Sequence, residues 1–127
     1  MRTILLGIAA IFITIITADA GEYDDGLDAF FIGDFASAFR LFKLPAEQGH
    51  SRAQYYIAVI YEEGRGVPQD YTEAVKWYRK AADQGHAAAQ GNLGYMYANG
   101  QGVPQDFIYA HMWFNLAAAQ GSVPAAQ

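Results

Sequence analysis

Apolar and small side chains at Tyr71, Ala74, Val75, Tyr78, Ala81 and Ala82 fall at i, i+3, i+4, i+7, i+10 and i+11, one stripe of an α-helix. Asp70 precedes the stripe as an N-cap, and Glu73 three residues later completes an acidic version of the capping box. Gly85, after Gln84, supplies the positive-φ residue that ends the helix. A second stripe of Ala89, Leu93, Met96 and Tyr97 predicts a helix from about Ala87 to Ala98, stopped by Asn99-Gly100-Gln101-Gly102. Pro68 and the glycines Gly64 and Gly66 keep helix out of the segment before Asp70.

These patterns recur. Gly-Val-Pro-Gln-Asp stands at Gly66 to Asp70 and again at Gly102 to Asp106, and Gln-Gly stands at Gln48, Gln84 and Gln120, always 36 residues apart. A fixed period of this size marks a solenoid, because a two-helix hairpin buries its apolar stripe only by stacking on the next one. The predicted fold is all-α: a right-handed α-solenoid of stacked antiparallel helix hairpins with 36-residue repeats. Small residues align at Ala38, Ala74 and Ala110, where backbones must approach closely; large ones align at Leu41, Trp77 and Trp113, and at Phe42, Tyr78 and Phe114. In the other helix Ala53 matches Ala89, Ile57 matches Leu93, Ala58 matches Gly94 and Tyr61 matches Tyr97. All of these are core assignments, the tryptophans included.

The first copy is degenerate. Phe35, Ala38, Phe39 and Phe42 follow the pattern, but Pro45 stands where the other copies have alanine and is predicted to bend or shorten its helix. Gly26 to Ile32 supplies a short apolar helix closed by Gly33-Asp34. The chain divides into degenerate capping helices over 21–49, repeats over 50–85 and 86–121, and a short tail over 122–127. The last helix is left uncovered along Phe107, Ala110, Phe114 and Ala117. Self-association through that face, a frayed end, or a shortened copy of a longer protein each account for it.

Residues 1–20 read as a signal peptide: Arg2, an uncharged apolar run from Ile4 to Ile16, and the small-x-small pattern Ala18-Asp19-Ala20 before Gly21. The run is shorter than the roughly 20 residues a bilayer span needs. An exported protein, periplasmic or secreted and free of the membrane after cleavage, is expected. The chain has no cysteine, so packing without disulfides must hold it. Its net charge of −5 opposes nucleic acid or an anionic lipid surface as partner.

Chemistry is scarce. His50 and His86 share one turn position in adjacent copies, but no acidic or thiol ligand completes a metal set, and they read as surface turn residues; His111 reads as a core or end-face residue. The pairs Glu62-Glu63 and Asp24-Asp25 are sequence neighbours that do not face each other on a helix. Ser37, Ser51 and Ser122 lie in no nucleophile motif, and the paired loop glycines lack the strand and helix that a phosphate cradle needs. No catalytic, cofactor or metal residue is assigned.

Ala89-Gln90-x-x-Leu93-Gly94-x-Met96-Tyr97-x-x-Gly100-x-Gly102-Val103-Pro104-Gln105-Asp106, with Asp70-Tyr71-x-x-Ala74-x-x-Trp77-Tyr78-x-x-Ala81-Ala82-x-Gln84-Gly85, resembles the Sel-one-like repeat, a branch of the tetratricopeptide-type solenoids. The resemblance runs from about Phe35 to Gly121. It implies a non-catalytic scaffold that binds a protein or peptide in a concave groove. The alternative that it implies is a small cell-wall-ligand-binding or hydrolytic protein like the family's cysteine-rich subgroup, from which this cysteine-free chain departs. Carried over by position, the groove residues are Arg52, Tyr55, Val59, Glu62 and Glu63 in one repeat, and Ala88, Gly91, Tyr95 and Asn99 in the next. Tyr55 and Tyr95 then act as rigid amphipathic anchors.

Overall fold

The structure, a computed structural model, describes residues 21–121. The signal peptide expected over 1–20 and the tail over 122–127 lie outside these residues. The described chain is α1 (21–31), α2 (Phe35–Glu47), α3 (Ser51–Glu63), α4 (Tyr71–Asp83), α5 (Ala87–Asn99) and α6 (Phe107–Ala119), with no strand. From α2 to α6 each helix packs on its neighbours in sequence. None of the described helices is long and apolar enough to cross a membrane.

Two kinds of cap start the helices. Asp34, Asp70 and Asp106 cap the second helix of each hairpin through side-chain oxygens; Asp70 accepts from the Glu73 amide at 3.1 Å. The reciprocal half of a capping box is not made. Glu73 turns toward Lys76 instead, and the Asp70 amide donates to the Tyr61 carbonyl at 2.9 Å. The first helices α3 and α5 are capped by His50 and His86, whose Nδ1 atoms accept from the amides of Ala53 and Ala89 at 3.1 Å. The histidines are therefore half-buried structural acceptors, a correction to their reading as surface turn residues.

The repeated loop word owes each letter to a contact. Gly64 and Gly100, at φ 65°, end α3 and α5 in the left-handed region. Gln69 donates to the Glu62 carbonyl at 2.8 Å, and Gln105 repeats this on Ala98 at 2.9 Å, strapping each loop to the helix it leaves. Gly66 and Gly102 have a further reason: a Cβ on Gly66 would lie 2.6 Å from the Ala36 nitrogen, and one on Gly102 would lie 2.3 Å from the Tyr71 oxygen. The loop of each hairpin thus rests directly on the first turn of the helix before it.

The alanine column is fully buried at Ala38 and Ala74 and nearly so at Ala110. Phe42, Tyr78, Ile57, Leu93 and Met96 fill the space around it, and Trp77 and Tyr61 pack against both halves of the core. Pro45 is buried inside α2, which keeps the same 13 residues as its counterparts. The expected shortening does not occur, because a proline near the C-terminal end loses one intrahelical bond while its ring fills the slot of the buried alanines Ala81 and Ala117. The last helix corrects most of the expectation. Phe107 is exposed as expected, but Ala110 and Ala117 are buried within the chain and Phe114 lies against Gly94, so the exposed side of α6 runs instead through Ile108, Met112 and Leu116.

Replacing Gly102 by alanine adds a backbone clash to left-handed strain and should cost more than about 2 kcal/mol. Gly85→Ala, at φ 89° with open space around its Cβ, should cost about 1 kcal/mol. Urea denaturation of both variants checks the ordering; equal losses would remove the close approach as the reason for the second glycine.

Candidate protein-binding face

The residues expected to line a groove occupy α3 and α5, the first helices of the second and third hairpins. On α3, Arg52 is exposed, while Tyr55 and Val59 are half-buried against the core. Glu62 is partly buried, and Glu63 is exposed and pairs with Arg65 at 3.5 Å. On α5, Tyr95 is 59% exposed and its ring rests edge-on against Phe114 at 5.2 Å, with one side open. Asn99 is exposed and donates to the Tyr95 carbonyl at 2.9 Å. Gly91 is buried and offers no surface. Tyr95 is thus the open aromatic of the set, and Tyr55 belongs half to the packing.

Tyr55 sits in a web of rings and polar groups. It stacks on His86 at 4.9 Å, meets Tyr56 edge-on at 5.2 Å and tilts toward Tyr78 at 6.0 Å. Tyr23 on α1 stands over His50 at 4.3 Å in the same way. Each pair joins one hairpin to the capping histidine of the next. In the third copy the corresponding positions are Gly91 and Ser122, so tyrosine and histidine disappear together.

Beneath these side chains lies a polar node centred on the middle unit and reaching into the third. The fully buried Tyr78 donates to Glu62 Oε1 at 2.6 Å and accepts from Asn92 Nδ2 at 3.0 Å, linking α3, α4 and α5. Burial, then the bond to Glu62, raises the Tyr78 hydroxyl far above the ordinary tyrosine value, so it stays protonated and donating. Burial, and then the neighbouring Tyr56, also raises the Tyr55 hydroxyl. His86 is shifted down, first by burial and then by the positive charge of Arg52, and its Nδ1 lone pair stays available for the cap. Glu62 is therefore committed to an internal bond. The signal for the node was one hydroxyl in an otherwise phenylalanine column, Phe42, Tyr78 and Phe114.

Two amide pairs, each of one buried and one exposed glutamine, join the consecutive Gln-Gly turns. Gln54 donates to the Ala46 carbonyl at 3.0 Å and accepts from Gln84 at 2.8 Å; Gln90 and Gln120 reproduce this, with Ala82 as acceptor at 3.1 Å. Consecutive turns are thereby clamped at equal spacing, which fixes the side-by-side placement of α3 and α5. Among the described residues no group of three or more histidine or acidic side chains is arranged to hold a metal ion.

A stack of three two-helix units of this geometry defines a repeat solenoid. The Sel1 repeat family model matches residues 19–50, 51–86 and 87–122, and the chain belongs to that family. A Sel1 repeat protein from Oxalobacter formigenes is 39% identical, with a TM-score of 0.77 over 81% of this chain and 82% of that one. A protective antigen of uropathogenic Escherichia coli strains, displaying an SLR fold, is 38% identical at a TM-score of 0.77, over 81% of this chain and 23% of that one. The DAP3-binding cell death enhancer 1 of Rattus norvegicus is 45% identical over 38 residues, 30% of this chain and 8% of that protein. This chain therefore matches a small part of the curated relative. Sel1 repeats generally form protein-interaction scaffolds.

Tyr78→Phe keeps the packing found at Phe42 and Phe114 but removes the node, and should cost about 2 kcal/mol in chemical denaturation, the scale of a bond to a charged group. A loss below about 0.5 kcal/mol would show the node to be dispensable.

Folding holds His86 below its ordinary value, so the unfolded chain binds that proton more tightly. Stability contributed by this group is complete above about pH 6.5 and is lost as pH falls through the folded-state value. His86→Asn retains a capping side chain without the titration, and its melting temperature should decline less between pH 7 and pH 5 than that of the wild type. Parallel melting curves across that range would remove His86 as a source of acid sensitivity.

Proposed function

We propose that this chain is an exported adaptor without catalytic activity, which holds a protein or peptide segment along the face formed by α3 and α5. The observation that carries the reading is Tyr95, an aromatic ring resting edge-on against Phe114 yet 59% exposed. A tyrosine has few rotamers to lose when a partner covers it, and tyrosine is among the usual anchors of interfaces. Arg52 and Asn99 provide hydrogen-bonding groups at the edges of the same face, Arg52 with a fork suited to carboxylates or carbonyls. Membership of a family of interaction scaffolds supports the class of activity.

Export rests on the sequence of residues 1–20, with its uncharged run and small-x-small end. Amino-terminal sequencing of the protein recovered from cells expressing the full chain should begin at Gly21. Recovery with Arg2 still attached would remove export from the proposal.

Tyr95→Ala should leave the melting temperature within about 2 °C of wild type, since the ring is mostly in solvent. A photoreactive residue at position 95 should form one dominant adduct in the native cell, whereas one at Lys76 on α4 should not. Equal adduct patterns at the two positions would discard the α3–α5 face as the binding surface.

A further inference from the structure

Units flanked by another hairpin show which positions stacking leaves in solvent. In α4, Thr72, Lys76, Lys80 and Asp83 remain exposed although α5 packs against that helix; in α2, Ala36, Arg40, Leu44 and Glu47 remain exposed beside α3. Both sets share one register, i, i+4, i+8 and i+11, on the outer side of the second helix. One period further on, the same register holds Ile108, Met112, Leu116 and Ala119, all exposed. Stacking a further hairpin does not reach this line. Such a hairpin would cover Phe107 and His111, whose counterparts Tyr71 and Val75 are half-buried and buried.

The outer stripe, polar in α4 and mixed in α2, has thus become apolar in α6. Ile108 is 85% exposed, Leu116 44% and Met112 40%. The whole of α6 carries no Asp, Glu, Lys or Arg, whereas α4 carries Glu73, Lys76, Arg79, Lys80 and Asp83. Single exposed apolar residues are ordinary, but an aligned set on an uncharged helix is a patch that something covers.

We propose that α6 pairs antiparallel with α6 of a second copy of this chain, about a two-fold axis at Met112. Ile108 then lies opposite Leu116 of the second copy and Met112 opposite its own equivalent, with i±4 ridges meeting in the middle. The stripe with Phe107 and Tyr109 offers on the order of 500 Å² per copy, so the pair buries about 1,000 Å², near the lower limit for a specific interface. An uncharged surface offers no ion-pair partner to a charged ligand, and the absence of lysine and arginine from it, on a chain of net charge −5, disfavours an anionic lipid surface. Head-to-tail contact is disfavoured as well. The exposed residues of α1 include Asp24, Asp25 and Asp28, and burying them against a helix without a cation would strand their charges. A two-fold pairing matches the stripe to itself and closes.

Sedimentation of the full chain over about 1 to 300 µM should show a monomer–dimer equilibrium with a dissociation constant in the micromolar range. The triple variant Ile108→Thr/Met112→Lys/Leu116→Lys installs the residues that α4 carries at these positions, which the same fold already accommodates. It should raise the dissociation constant at least about tenfold with little change in melting temperature. Because the chain has no cysteine, Met112→Cys is a clean second reporter, and it should give a disulfide-linked dimer under mild oxidation while Lys76→Cys should not. A monomer throughout the range, a dimer that survives the triple substitution, or equal cross-linking at the two positions overturns the pairing. Flotation with phosphatidylcholine–phosphatidylglycerol vesicles that the triple substitution abolishes, without any dimer in solution, also overturns it and assigns the stripe to a membrane.

Discussion

The distance of closest approach between neighbouring hairpins governs this molecule. A pair of 13-residue helices has too little apolar surface to fold alone, so the units must come close enough for backbone to touch backbone. Gly66 and Gly102 make that possible by resting on the first turns of α2 and α4, where any Cβ would collide. The alanines at 38, 74 and 110 do the same between helices, and Gly94 admits the ring of Phe114 where a Cβ would lie 2.8 Å from it. Once these contacts are made, rotation of one unit against the next is settled. The placement of Tyr95, the node at Tyr78 and the outer stripe of α6 follow from it.

Within that spacing, neutral polar side chains do the interlocking. The chain has no disulfide to use, and the two ion pairs found among the described residues, Glu63 with Arg65 and Glu73 with Lys76, are exposed and of small energetic weight. The joints are instead buried amides at Gln54 and Gln90 and imidazole acceptors at His50 and His86. A neutral group costs less to bury than a charge, and a satisfied one gains strength from the low dielectric around it. The consequence is a stack whose joints are insensitive to salt, yet sensitive to acid at His86.

Where the copies agree they build the scaffold, and where they differ they carry information. Only the middle unit has a tyrosine at the buried ring position, with Glu62 and Asn92 to satisfy it. Tyr23 and Tyr55 set their rings against the capping histidines His50 and His86, whereas the third copy has Gly91 and Ser122 at these positions in its sequence. Only the last unit has an apolar outer stripe. Each difference is a departure from a pattern the chain itself defines, so it can be read without reference to any other protein.

The period, the helix count and the caps at Asp70 and Asp106 were legible in the amino-acid order because they rest on local chemistry repeated at a constant interval. The core columns were legible for the same reason. Burial of Gly91, the committed role of Glu62 and the half-buried packing of Tyr55 were not, because each depends on which neighbouring helix lies over the residue. The side of α6 facing solvent was misplaced on the same ground: Ala110 and Ala117 are apolar, but α5 already covers them, while Ile108 is equally apolar and lies on the far side. The order of residues by itself determined the repeat, and with it the fold, since periodicity needs no knowledge of distance. Which apolar and polar side chains reach solvent was decided only by the tertiary structure, since exposure is set by the rotation of each helix against its neighbours.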